Sequence, residues 1–166
     1  MGTTDTVGVH EKVTSEKIAV AQRKGECRFC KIIRGEERSY VVLDNEVCLA
    51  FLDYRPLFPG HCLLAPKTHF ETLMDMPPEL IPPLFGAARI LAQVMEEALL
   101  AEGSFVAINN RISQSVPHLH VHVVPRRRND GLRGFFWPRQ RYADEDSILR
   151  VQASLRAAVE GVKSRG

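Results

Sequence analysis

His118-Leu119-His120-Val121-His122-Val123-Val124 alternates imidazole with aliphatic side chains. Successive side chains of a strand project to opposite faces, so this stretch predicts a strand with His118, His120 and His122 on one face, spaced by about 7 Å, and Leu119, Val121 and Val123 on the other. Half of the chain's six histidines would then line one site while the aliphatic face enters a core. Neutral imidazole is both a metal ligand and a competent nucleophile near neutral pH. The strand by itself leaves paired His-x-His ligation and nucleophilic catalysis both open. Gln114-Ser115-Val116-Pro117 leads into it, placing an amide and a hydroxyl where an oxyanion such as phosphate can be hydrogen-bonded. A central histidine oriented by one neighbour, with the other donating to developing charge, follows the logic of catalytic triads.

Short runs rich in Val, Leu and Phe at 40–43, 47–52, 61–65 and 105–109, punctuated by turn residues, predict four further strands. Asp44-Asn45-Glu46 is placed for a hairpin, and Pro56, Pro59, Gly60 and Pro66 mark loops. Leu80, Leu84, Ala87, Ala88, Leu91, Val94, Met95, Ala98 and Leu99 recur at the spacing of one buried helical stripe, predicting a long helix over 79–102. Pro82 and Pro83 are tolerated there because a first helical turn has no intrahelical amide partners to lose. A second amphipathic helix is expected over 144–162, with Ile148, Leu149, Leu155, Ala158 and Val159 inward. Several connections are too short for parallel crossovers. The expectation is an α+β domain: a five-stranded antiparallel sheet, one long central helix and a C-terminal helix.

At 166 residues, with 45% hydrophobic side chains and only four cysteines, the chain is long enough to bury a core without a disulfide scaffold. No run approaches the roughly 20 apolar residues of a membrane span. The first residues lack the apolar run of a signal peptide, so a cytoplasmic location is expected, with no membrane partner. The net charge of +2 conceals a division. Residues 126–141 hold six Arg and one Asp, whereas the rest carries 16 basic and 19 acidic residues. Those arginines are interleaved with Phe135, Phe136 and Trp137, a pattern that can bind nucleic acid through phosphates and stacking. The favoured expectation is that the aromatics pack at a dimer interface while the arginines are solvated or guard an anionic-substrate pocket. Residues 1–26 read as an extension with a short helix over 14–23, residues 27–126 as the main domain, and 127–166 as a basic loop and helix.

The histidine stretch resembles the defining motif of the histidine triad (HIT) family of nucleotide hydrolases and transferases. Cys27-Arg28-Phe29-Cys30-Lys31-Ile32-Ile33, Leu49-Ala50-Phe51-Leu52-Asp53, the run from Gly60 to His69, and Gln114-Ser115-Val116 resemble the family in the same order. The resemblance implies that His120 is the nucleophile attacking the α-phosphorus of a purine nucleotide. His122 would hydrogen-bond the phosphate, as would Ser115, Gln114 and Asn109, with the adjacent Asn110 as the alternative register for the asparagine. Asp53 would take the ribose hydroxyls, and Phe29, Ile32 and Leu63 would wall the base. It also implies a homodimer with sheets joined edge to edge and a bond broken at the α-phosphate. The leaving group would be an amine or a second nucleotide, and the acceptor water or inorganic phosphate. Other readings are a nucleotide-binding regulatory protein with incidental activity, and a nucleic-acid-end processing protein using the arginine tail.

Cys27-x-x-Cys30 alone suggests zinc without completing a tetrahedral site. The resemblance supplies His69 and His118 as the remaining ligands of a structural zinc, which leaves His120 free as nucleophile. Cys48 and Cys62, inside apolar strands, are expected as buried thiols. The loop from Asn109 to Gln114 is shorter than the family's usual one, and Ser113 stands where glycine is common. Arg111 in that loop is a candidate phosphate contact.

Overall fold

The structure, a computed structural model, describes residues 27–132 and 141–163, with side chains of the last helix described to residue 159. The helix expected over 14–23 and the aromatics Phe135, Phe136 and Trp137 lie outside the described residues.

Apolar alternation and turn chemistry build one sheet. Strands β1 (Val41–Asp44), β2 (Cys48–Leu52), β3 (Cys62–Pro66), β4 (Gly103–Ile108) and β5 (Val121–Arg126) pair antiparallel in the order β1-β2-β3-β5-β4. The β1–β2 hairpin closes on Asn45, whose Oδ1 accepts the amides of Val47 and Cys48 at 2.9 and 2.8 Å. This is the side-chain mimicry that makes Asn a turn residue. Between β2 and β3 the chain reverses through Gly60 at φ +97°. A Cβ there would stand 2.3 Å from Leu99 Cδ1, the end of an exposed side chain that can turn aside, so it is the backbone conformation that calls for glycine.

Alternation along the strands sorts residues between the two faces. Cys48, Ala50, Cys62, Leu64, Leu119, Val121 and Val123 join the core with the long helix α2 (Ile81–Leu99). Leu49, Phe51, Leu63 and Ala65 face the opposite side, where they pack with Phe29 and Ile32. Those two residues belong to a short helix, α1 (Arg28–Ile33), which the sequence reading did not anticipate. Cys48 and Cys62 are buried thiols, as expected.

Helix α2 is shorter than its apolar pattern. Residues 78–80 form a separate 3-10 turn, and Leu100 adopts a left-handed conformation that ends the helix. Its buried stripe is Leu84, Ala87, Ala88, Leu91 and Met95, whereas Val94 and Leu99 are exposed. Strand β5 begins at Val121, three residues later than expected. The amides of His118 and Leu119 are engaged instead by the carbonyls of Val116 and Phe70, at 2.8 and 2.6 Å. The period of two nonetheless runs through from 118: Leu119 is fully buried in the α2 core.

The chain divides into two compact units between Arg128 and Asn129. In the second, α3 (Glu145–Lys163) starts on Asp144, whose carboxylate accepts the Ser147 amide at 2.7 Å. Ile148, Leu149, Leu155 and Val159, expected on an inner face, are exposed in the described structure. No helix among the described residues is long and apolar enough to cross a membrane.

Candidate active site and metal cluster

The sheet face opposite α2 holds the histidines. His122 pairs across the sheet with Leu63 on one side and Ala107 on the other. Phe29 of α1 lies against the row: its ring centroid is 5.1 Å from that of His120, 5.8 Å from His118 and 5.2 Å from Phe51.

Carbonyl partners fix the tautomers of two triad members, because a carbonyl oxygen can only accept. His120 Nδ1 lies 2.7 Å from the His118 carbonyl and must carry its proton there, so the lone pair is on Nε2. His118 Nε2 lies 2.8 Å from the Pro66 carbonyl, which puts its lone pair on Nδ1. The two lone pairs therefore sit on opposite ring nitrogens of residues two apart.

His122 is set by a residue for which sequence reasoning had assigned no role. The Leu57 amide donates to His61 Nδ1 at 3.2 Å, so a neutral His61 carries its proton on Nε2. That nitrogen lies 3.0 Å from His122 Nδ1 and donates to it. His122 then holds its own proton on Nε2, a buried atom with no hydrogen-bond partner among the described residues. Buried N–H groups are rarely left so, and an incoming anionic oxygen would satisfy this one. Asp53 Oδ2 stands 3.5 Å from His61 Nδ1, and Asp53 Oδ1 accepts the Arg55 amide at 2.8 Å. The backbone donor on Nδ1 decides the His61 tautomer; the carboxylate contributes only charge. Burial lowers the pKa of His61, with Asp53 opposing it, and lowers that of His120. His122 is brought down to about 4 by burial, then by His120 and His61. All three are neutral at pH 7, as a nucleophile and hydrogen-bond donors of fixed tautomer require.

At the other end of the row, Cys27, Cys30, His69 and His118 present four ligand atoms within 4.8 Å of one another. His118 Nδ1 is 3.5 Å from Cys27 Sγ and 3.6 Å from Cys30 Sγ, and His69 Nδ1 is 3.3 Å from Cys30 Sγ. Zinc–sulfur and zinc–nitrogen bonds of about 2.3 and 2.0 Å at a tetrahedral angle place S and N about 3.5 Å apart. The donor set and spacing fit a closed structural zinc, with His118 turned to offer the correct nitrogen.

A cleft of about 90 Å³ opens beside the histidines, and Phe29, Ile32, Leu63 and Asp53 all line it, together with Phe51 and Tyr54. Its rim adds Arg28, held by Glu37 at 2.6 Å, and Arg38, stacked on Tyr40 at 5.7 Å. Ser115 is exposed and Asn109 half-buried in the loop before the histidines. Gln114 is engaged within the fold: its Oε1 accepts the Arg111 amide at 2.8 Å and its Nε2 donates to the Glu71 carbonyl at 2.6 Å. Arg127 and Arg128, candidates for guarding the site, bind the Leu99 carbonyl and Glu102 at the end of α2. Arg133 and Arg139 lie outside the described residues.

The site thus combines a histidine row with one free lone pair, a buried N–H donor and a Cys2His2 cluster. Residues 34–129 match the HIT domain, and the chain belongs to the HIT family. It is 33% identical over 149 residues to the adenosine 5'-monophosphoramidase HNT1 of Saccharomyces cerevisiae, covering 89% of this chain and 92% of that one. It is 31% identical to the adenylylsulfatase HINT3 of Arabidopsis thaliana over 70% of this chain, spanning 60% of that protein's length. Among solved structures it is similar to a zinc-bound histidine triad family protein from Mycobacterium smegmatis, at a TM-score of 0.63 and 36% identity, covering 85% and 98% of the two chains.

Proposed function

We propose that the protein is a nucleotide hydrolase that cleaves a purine nucleotide conjugate at its α-phosphate through a nucleotidyl-His120 intermediate. The observation that carries this reading is the fixed tautomer of His120, whose ring lies 4.9 Å, centroid to centroid, from that of His122, where the Nε2–H has no hydrogen-bond partner among the described residues. His120 Nε2 forms a bond to phosphorus as the P–N or P–O bond to the leaving group breaks. The leaving group takes one proton from water, and the hydroxide left behind is neutralised by the proton released in the second step. The imidazolium charge developing on His120 is stabilised by the His118 carbonyl at Nδ1–H, and charge developing on the phosphoryl oxygen by His122. Water then attacks phosphorus, releasing the nucleoside monophosphate, a proton and free His120. The base lies against Phe29, Ile32 and Leu63, the ribose hydroxyls on Asp53, and Ser115 and Asn109 serve the phosphate. Zinc is structural in this scheme, tying α1 to the histidine segment, and the protein works as a cytoplasmic homodimer.

The fuller coverage of the yeast phosphoramidase makes an adenosine 5'-phosphoramidate the first substrate to try, with a dinucleoside polyphosphate second. Rapid acid-labile trapping with an α-labelled substrate should place label on His120 in the wild type and none in His120→Ala, which retains nucleotide affinity. Absence of turnover on both substrates, or label on another residue, refutes the assignment.

A further inference from the structure

The loop leading into the histidines has an unusual problem. Within five residues it holds two non-glycine left-handed positions, Arg111 at φ 69° and Ser113 at φ 58°. Neither is a residue type that adopts this region without cost, so something outside the loop must hold it. The Ile112 amide donates to the Asn110 carbonyl at 2.8 Å, and the Gln114 side chain bridges Arg111 to Glu71. Asn110 makes the other outward bond: its Oδ1 accepts the Leu73 amide at 2.9 Å.

Both outward bonds end on one short segment, 71–73, which is itself rigid. Thr72 donates its amide and hydroxyl to Asp75 Oδ2 at 2.9 and 2.7 Å, and Asp75 donates its amide to the Thr72 carbonyl at 3.2 Å. The preceding Phe70 carbonyl accepts the Leu119 amide, between His118 and His120. One strut therefore supports the loop and the histidine segment together.

We propose that Asn110 is a positioning residue for the reaction: its bond to the Leu73 amide holds the 109–115 loop in the left-handed form that brings Asn109 and Ser115 to the phosphate. This rests on the proposed function, since Asn109 and Ser115 are phosphate groups only in that reading. Asn110 touches no substrate and acts through the loop's shape.

The test is a mutant cycle on the two ends of the bond. Asn110→Ala removes the acceptor. Leu73→Pro removes the donor at the first position of a 3-10 turn, where proline's φ is accommodated, after Thr72 in an extended conformation. Each should raise KM for an adenosine 5'-phosphoramidate about tenfold, the factor that follows from losing one net hydrogen bond and stranding its partner. The turnover number should stay within about threefold, and the double variant should be no worse than the worse single. Ser113→Gly in the Asn110→Ala background should recover part of KM by removing one strained position. KM within twofold of wild type in both singles, or full additivity in the double, overturns the proposal. If one single fails to fold, the other and its glycine rescue decide. If the wild type turns over no substrate, the functional reading fails instead, and AMP affinity measured by calorimetry across the same variants still reads the tether.

Discussion

Removing the metal should detach α1 and leave the rest of the domain folded. Helix α1 has six residues, too short to persist alone in water. Fixing its backbone costs about 1–2 kcal/mol per residue, or roughly 6–12 kcal/mol in all. Against this stand the burial of Phe29 and Ile32, about 3–6 kcal/mol together, and the edge-on contact of Phe29 with Phe51, about 1 kcal/mol. The midpoints, about 9 against about 5.5 kcal/mol, leave a deficit of about 3.5 kcal/mol, a few hundredfold in equilibrium, and a structural zinc held by Cys27 and Cys30 supplies roughly 10–16 kcal/mol, enough to reverse it. The sheet and α2 depend on no such ligand, since their core is closed by Leu64, Leu84, Leu91, Val121 and Val123. Chelation, or Cys30→Ser, should raise amide exchange over residues 28–33 at least a hundredfold while residues 84–95 keep their protection. Tryptic cleavage should appear at Arg28, Lys31 and Arg34. Nucleotide affinity should fall at least tenfold, because Phe29 and Ile32 wall the cleft. Equal protection of α1 with and without metal would refute the reasoning, as would melting of the whole domain on chelation.

Other expectations follow from single sites. Burial pushes the Cys30 thiol up to about 11, so without metal it is protonated at pH 7. Zinc binding to the metal-free protein should therefore release at least that proton, read by calorimetry in buffers of different ionisation enthalpy; zero release removes Cys30 as a ligand. Because burial disfavours the charged forms of His120 and His122, acid must go below the ordinary histidine value to protonate them. The acid limb of kcat/KM should lie below pH 6.5, and a limb above that value contradicts the neutral tautomers. The depressed His122 value makes its contribution to stability complete above about pH 6.5 and progressively lost as pH falls toward 4, measurable by urea titration of His122→Ala against wild type. Gly60→Ala combines φ +97° with a contact to Leu99, and a loss of at least about 1 kcal/mol is expected by thermal unfolding.

The sheet was legible because its strands are short Val-, Leu- and Phe-rich runs bounded by turn residues, and the central helix because its stripe has the helical period. The misread edges share a cause. Residues 118–120 look like strand in pattern, but the amides of His118 and Leu119 are taken by loop carbonyls, a tertiary fact no local period records. Leu99 and the apolar residues of α3 fit a helical stripe yet remain exposed, because periodicity reports which residues could be covered and not what is there to cover them. Helix α1 escaped notice since six residues contain less than two turns of pattern. In the site, Asp53, Phe29, Ile32 and Leu63 meet in one cleft, and the four expected ligands converge. His61 stayed without a role because its contribution is to fix a tautomer across two strands, visible only once His122 Nδ1 lies 3.0 Å away. The only hint in sequence was a histidine beside the glycine that opens β3.

The strict alternation from His118 to Val123 also determines where this gene can tolerate changes in length. Deleting or inserting one codon there would exchange the two faces, turning aliphatic side chains toward Phe29 and imidazoles under α2, so chemistry and core would fail in the same event. Upstream the constraint is of another kind: the loop from Asn110 to Pro117 carries no alternation, and its shape is held by the bonds of Asn110 and Gln114 to residues 71–73. Insertions and deletions among descendants of this sequence should therefore be absent from the histidine segment and from the tethered loop that leads into it.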